Sequence, residues 1–257
     1  MLGWKIFAHS VRMVFGNLKQ VLHITVGPAA IATAVIVVLF VVLDIPLEAL
    51  DDSADQLPFG TSVGSIFAFV LTLIVVMLIT MFWIAVSWHR FILLEEYPSG
   101  IVPTFRFDRI LAYLGRLLLL GLLFAIAWLP MGLLISALVS VGGGEVVSVV
   151  VTVVYSMFLI VCFYRLSIIL PAAAIGHPVT IGEAWASTVG VSGAVFVLLV
   201  VAFLFQIAIQ LIFTALAFIP VLGVLLTVFF GTLILPLINV SILTTMYGIF
   251  IEKRELT

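Results

Sequence analysis

Two arginines and one glutamate carry the sharpest chemical signal in this chain. Arg90 and Arg165 each close an apolar run behind aromatic residues, in Trp88-His89-Arg90 and Phe163-Tyr164-Arg165. Glu183 follows Thr180 by three residues, where the next apolar run is entered. A guanidinium offers forked donors that match phosphate oxygens. Two of them at one depth, offset by a single carboxylate, would favour an anion, and a phospholipid headgroup is the most available one there. The plainer reading is that both arginines anchor span ends, with a local ion pair to the glutamate. Arg90, Arg165 and Glu183 form the candidate anionic headgroup site on the first reading.

The remaining polar chemistry is sparse. Gln206, Gln210 and Asn239 are the most polar residues in mid-span positions. They could line a solute path, but interhelical hydrogen bonding inside the bundle is the simpler expectation. No Asp, Glu, Lys or Arg lies deep within an apolar run, and proton- or ion-coupled carriers usually need one. His9, His23, His89 and His177 fall at or near the expected base-rich interface, where histidine is ordinary. No metalloprotease, nucleophile-elbow, phosphate-loop or dinucleotide pattern occurs. Cys162 is the only cysteine, which excludes intrachain disulfides and thiolate metal clusters. The expectation is no catalytic, metal or cofactor-binding residue.

These residues have to be positioned by lipid-solvated elements. The chain is 65% hydrophobic and 9% charged, whereas a soluble domain averages about 45–50% apolar and about 25% charged. Soluble packing could not hide so much apolar surface. The composition predicts an all-α, polytopic membrane bundle forming one membrane domain over residues 1–257. Spans are expected near 21–43, 63–87, 117–141, 146–164, 194–218 and 224–250, each with roughly the 20 residues a bilayer needs. The first run is too long for a cleavable signal core, so none is expected.

Amphipathic helices should lie on the cytoplasmic side. In residues 2–20, Lys5, His9, Arg12, Gly16 and Lys19 recur on one helical face, with Trp4, Phe7, Val11, Val14, Phe15 and Leu18 opposite. That suits a helix in the headgroup region. A second interfacial helix is expected within 95–116, capped by Thr104 after Pro103, with Arg106, Arg109 and Arg116 on one face. Thr180-x-x-Glu183 is a capping-box pattern and predicts a short helix carrying Trp185. Pro130 should kink the third span, and Pro236 lies within the sixth.

Charge fixes the expected orientation. With six spans and the N-terminus inside, all ten basic residues fall on the cytoplasmic side. The other side carries Asp44, Glu48, Asp51, Asp52, Asp55 and Glu145, and no base. Both termini should be cytoplasmic, and single cysteines at Ser53 and Gly143, but not at Ser99, should label from outside. Net charge is −2, so nucleic acid is not expected as a partner.

The even spans end alike, in Trp88-His89-Arg90, Phe163-Tyr164-Arg165 and Met246-Tyr247-Gly248. The chain reads as three copies of an interfacial helix plus a transmembrane hairpin, although aromatic belts alone make such boundaries similar. Small or polar stripes run along three spans: Gly121-Ala125-Gly132-Ser136-Ser140, Ser148-Thr152-Ser156 and Ala202-Gln206-Gln210-Thr214. Lipid cannot satisfy their polar groups, so they should face the bundle.

Together, WHRFILLEEYP and LPAAAIGHPVTIGEAW resemble a group of uncharacterised bacterial six-span proteins. They are also similar to the membrane domain attached to some glycerophosphodiester phosphodiesterases. The residues that carry the resemblance are Arg165, Pro171, Glu183, Ala184, Trp185 and Thr188. The soluble phosphodiesterase domain, with its metal-binding carboxylates and histidines, is absent. The resemblance therefore implies a helical module of a bacterial inner membrane without catalytic activity. The expected function is a non-enzymatic accessory or scaffold module, associated with anionic lipid and with other membrane subunits. A transporter or channel for a small solute or lipid is the alternative.

Overall fold

A computed structural model describes residues 1–43, 62–98, 100, 102–140 and 144–256. The acidic residues 44–55, together with Ser53, Ser99 and Gly143, lie outside the described residues. The described elements are all helical: α1 (Leu2–Gly16), α2 (Leu18–Val42), α3 (Val63–Leu94), α4 (Phe107–Ser140), α5 (Glu145–Leu166), α6 (Ile169–Ile175), α7 (Ile181–Ser187), α8 (Ser192–Leu216), α9 (Leu222–Phe229) and α10 (Leu235–Phe250), with one π-helical turn at Phe230–Ile234 between the last two. Among the described residues, six stretches are long and apolar enough to cross a membrane: α2, α3, α4, α5 with α6, α8, and α9 through α10. The chain is a multi-pass helical membrane protein.

The spans pack unevenly. Nearly all buried side chains gather at the end where the bases lie: Phe82 to Leu93 of α3, Ile110 and Tyr113 of α4, Leu237 to Phe250 of α10, and the whole of α6. Towards the other end the helices stand apart, and large apolar side chains such as Val41, Phe67, Leu133, Val154 and Phe203 are exposed.

The centre of the packed end is α6, which lies between the expected fourth and fifth spans. All seven of its residues, ILPAAAI, are buried against α3, α4 and α10. The three alanines let those helices approach closely. Pro171 is tolerated because it occupies the first turn, where the N–H would have no intrahelical partner. Gly176, with φ 85°, ends α6: the His177 N–H reaches Ala172 O at 3.0 Å and the Gly176 N–H reaches Ala173 O at 3.2 Å. This paired closure needs the left-handed conformation that glycine adopts without strain.

Four expectations about the elements need correction. The chain breaks at Asn17, so 2–20 is not one helix. The face of α1 that enters the core is Gly3, Ile6, Phe7, Ser10 and Val14, while Trp4, Phe15 and Leu18 point away. A close fit to α8 selects that face: a Cβ on Gly3 would sit 2.2 Å from the Ala194 carbonyl oxygen. Thr104 caps nothing, since helix begins at Phe107 with Arg106 O accepting from the Ile110 N–H, and α4 runs unbroken into the span with no separate interfacial helix. Two of the three stripes are largely exposed instead of buried: Gly121, Ala125, Gly132, Ser136 and Ser140 on α4, and Gln206, Gln210 and Thr214 on α8. The third, on α5, turns inward, with Ser148 buried and Thr152 and Ser156 half-buried.

Pro130 lies within a continuous α4, and the nearby Ala127 carbonyl accepts from the Tyr155 hydroxyl. The π-helical turn immediately precedes Pro236. A widened turn there accommodates the ring and the missing N–H.

Candidate functional site

The packed end is tied together by side chains from three directions. From α10, Ser241 accepts the Trp88 Nε1–H at 2.8 Å and Thr244 lies 2.8 Å from His89 Nδ1. The Thr244 hydroxyl also donates to Val240 O, which leaves its lone pair for the Nδ1–H tautomer of His89. Ser10 of α1 meets Thr245 at 2.9 Å. This row of hydroxyls, Ser241, Thr244 and Thr245, escaped the sequence reading. Its helical spacing could have revealed it, as it did the stripes on α4, α5 and α8. His89 is fully buried in the core instead of lying at an interface, while His23 and His177 are exposed.

Arg90 is occupied within the protein. Its Nε donates to Glu96 Oε2 at 2.8 Å, its Nη2 pairs with the same oxygen, and its Nη1 donates to Ala174 O at 3.2 Å. Ala174 is one of the last residues of α6, so Arg90 satisfies a carbonyl that the helix end leaves open. Glu95, at φ 52°, turns the chain sharply after α3 and brings Glu96 back to Arg90. Arg106 reaches the other Glu96 oxygen at 2.8 Å. Burial disfavours charge on Glu96, but the hydrogen bonds and charges of Arg106 and Arg90 outweigh it and hold the carboxyl below the usual carboxylate range.

Arg165 is 7% exposed and similarly engaged. It donates to Thr188 Oγ1 at 3.1 Å, Ser192 Oγ at 3.3 Å and Trp185 O at 3.2 Å, and its guanidinium stacks 3.7 Å from the Trp185 ring centre. It ties the end of α5 to α7 and the start of α8. Glu183 faces outward and completes the capping box of α7: it accepts from the Thr180 N–H at 2.8 Å, while Thr180 Oγ1 accepts from the Glu183 N–H at 3.2 Å. Those contacts from Thr180 hold its carboxyl below the usual range. The three residues proposed as a headgroup site thus have separate partners, and no ion pair joins Glu183 to either arginine among the described residues. The physical reason is local: Glu96 and the Thr180 cap lie nearer in sequence and geometry than the postulated common locus.

Gln206, Gln210 and Asn239, expected to make polar contacts inside the bundle, are exposed. Gln206 falls eleven residues after Val195, close to the same face of α8, so its exposure reflects the open packing at that level and not a rotation of the helix.

One basic surface remains open. A groove of about 430 Å³ runs between α4 and α6, lined by Arg109, Ala112, Gly115, Arg116, Leu119, Ala173, Gly176 and Pro178. Arg109 and Arg116 are two helical turns apart on one face, a spacing already visible in the sequence. The groove became legible only when Ala173 and Gly176 of α6 formed its other wall. No group of three or more metal-ligating side chains occurs among the described residues.

With the fold and this end of the bundle defined, the class is that of an all-α membrane bundle with six spans. Comparison with family models, characterised proteins and solved structures gives no match to the chain.

Proposed function

We propose that this chain is a non-enzymatic accessory or scaffold module of a bacterial inner membrane. Both termini lie on the cytoplasmic side, and the chain associates with other membrane subunits and with anionic lipid. The observation that carries the reading is that Gln206 and Gln210, one turn apart on α8, are exposed and have no side-chain partner among the described residues. A primary amide facing hydrocarbon forfeits its hydrogen bonds, at a cost of several kcal/mol by transfer measurements. A neighbouring subunit that supplies partners removes that cost. The loosely packed apolar half of the bundle offers the same neighbour a broad surface.

The test is assembly state. In mild detergent, native mass spectrometry should find the chain in a discrete complex larger than one copy. Gln206→Leu with Gln210→Leu should release it as a monomer of unchanged thermal stability. A wild-type chain that is monomeric in both detergent and nanodiscs would sink the scaffold reading. Saturable solute flux in proteoliposomes would replace it with the transporter alternative.

A further inference from the structure

We propose that the groove between α4 and α6 binds the phosphate ester of an anionic lipid, with Arg109 and Arg116 as its donors. This rests on the reading that the chain associates with anionic lipid, and it gives that lipid a site.

Arg116 makes no hydrogen bond or ion pair with any described residue. It stands nine residues past Phe107, about 13 Å along the axis of α4, where Leu119 and Leu123 on the same side of the helix are exposed. A lone guanidinium beside hydrocarbon is costly unless an anion or water meets it. Arg109 is held differently. Its Nε pairs with Asp108 Oδ2 at 3.0 Å, and its guanidinium lies against Gly176, where a Cβ would come within 2.5 Å of Nη1. That arrangement fixes the group at the groove wall and leaves donors unused, since a guanidinium carries five N–H bonds.

Shape and charge agree. Ala112, Gly115, Ala173 and Gly176 keep the walls low, and the volume falls within the range of small-ligand pockets. No carboxylate lines the groove, and Asp108 offsets only one of the two cations. The surplus of one positive charge matches a phosphodiester, which carries one negative charge. The exposed leucines of α4 continue the groove into the apolar surface, where acyl chains would run. A free phosphate has the same donors available to it but gains nothing from that surface.

The experiment uses the full chain in nanodiscs of phosphatidylcholine with a minor fraction of phosphatidylglycerol, and native mass spectrometry counts the retained phosphatidylglycerol. Wild type should retain it. Arg116→Gln should lower retention about tenfold, the loss expected for one charge-assisted contact. Gly115→Leu should lower it similarly by filling the groove, because no protein atom lies within 4 Å of the added Cβ. Arg12→Gln, an exposed cation on α1, should change nothing. If wild type shows no preference for phosphatidylglycerol, the lipid association itself fails. If it does, and both groove variants retain as much, the association stands and this site is wrong. Displacement by an equal concentration of inorganic phosphate would overturn the lipid assignment in favour of a soluble anion.

Discussion

The two ends of this bundle are built from similar apolar helices and behave as different materials. At the base-bearing end, α6 fills the space between α3, α4 and α10, and hydroxyls, an indole, an imidazole and two arginines close the gaps. At the other end the same helices continue, and most of their large apolar side chains are exposed. Hydrophobicity does not distinguish the ends. Lipid solvates a leucine as well as another leucine does, so apolar contact alone gives helices little reason to pack. What holds the first end together is close approach at small residues and polar groups that have no alternative partner.

The contrast can be broken most sharply by matched truncations. Trp88 is 0% exposed and donates to Ser241, so Trp88→Ala should cost about 3–5 kcal/mol. Leu133, 76% exposed in the outer half of α4, should lose almost nothing on conversion to alanine. Thermal unfolding of both variants in one detergent reads the difference, and equal losses would erase the distinction between the ends.

A smaller effect is expected at Glu96. Glu96→Gln weakens the links to Arg90 and Arg106 and should cost about 1–2 kcal/mol at neutral pH. Because the folded carboxyl is held below its ordinary value, its contribution is present above the unfolded carboxylate range and is lost as pH falls through the folded value. The gap between wild type and variant should therefore narrow in acid. A gap that widens as the pH drops would mean that Glu96 is not the acceptor joining these arginines.

The smallest change belongs to the loose end. Val221, at φ 62° and ψ −62°, occupies a tight three-residue turn in which the Leu222 N–H meets Pro220 O at 2.6 Å. A β-branched residue is strained there. Val221→Gly should stabilise the chain by up to about 1 kcal/mol, read as a raised unfolding temperature. A lowered temperature would show that this turn is supported by contacts of the valine itself.

Much of this architecture was legible in the residues. Composition forced a lipid-solvated bundle, and run length led to six apolar helices long enough to cross it. The Thr180–Glu183 box started α7 as expected, because a capping box is a local agreement between side chain and backbone four residues long. Helix α6 was hidden because ILPAAAI, flanked by Arg165 and His177-Pro178, has neither the length of a span nor an amphipathic face. The exposure of Gln206 and Gln210 was hidden because it depends on how closely neighbouring helices approach at that level, which no single segment states.

The sequence by itself determined the solvent and the number of apolar helices long enough to cross it, since these follow from transfer free energies that each segment carries alone. Only the tertiary structure decided which partner each polar group took. Arg90 and Arg165 became ties between helix ends, and Arg109 and Arg116 were left facing a groove. Those outcomes depend on how helices rotate to fit one another, which is settled by small residues such as Gly3, Ala173 and Gly176 at their crossings and not by any property of the arginines.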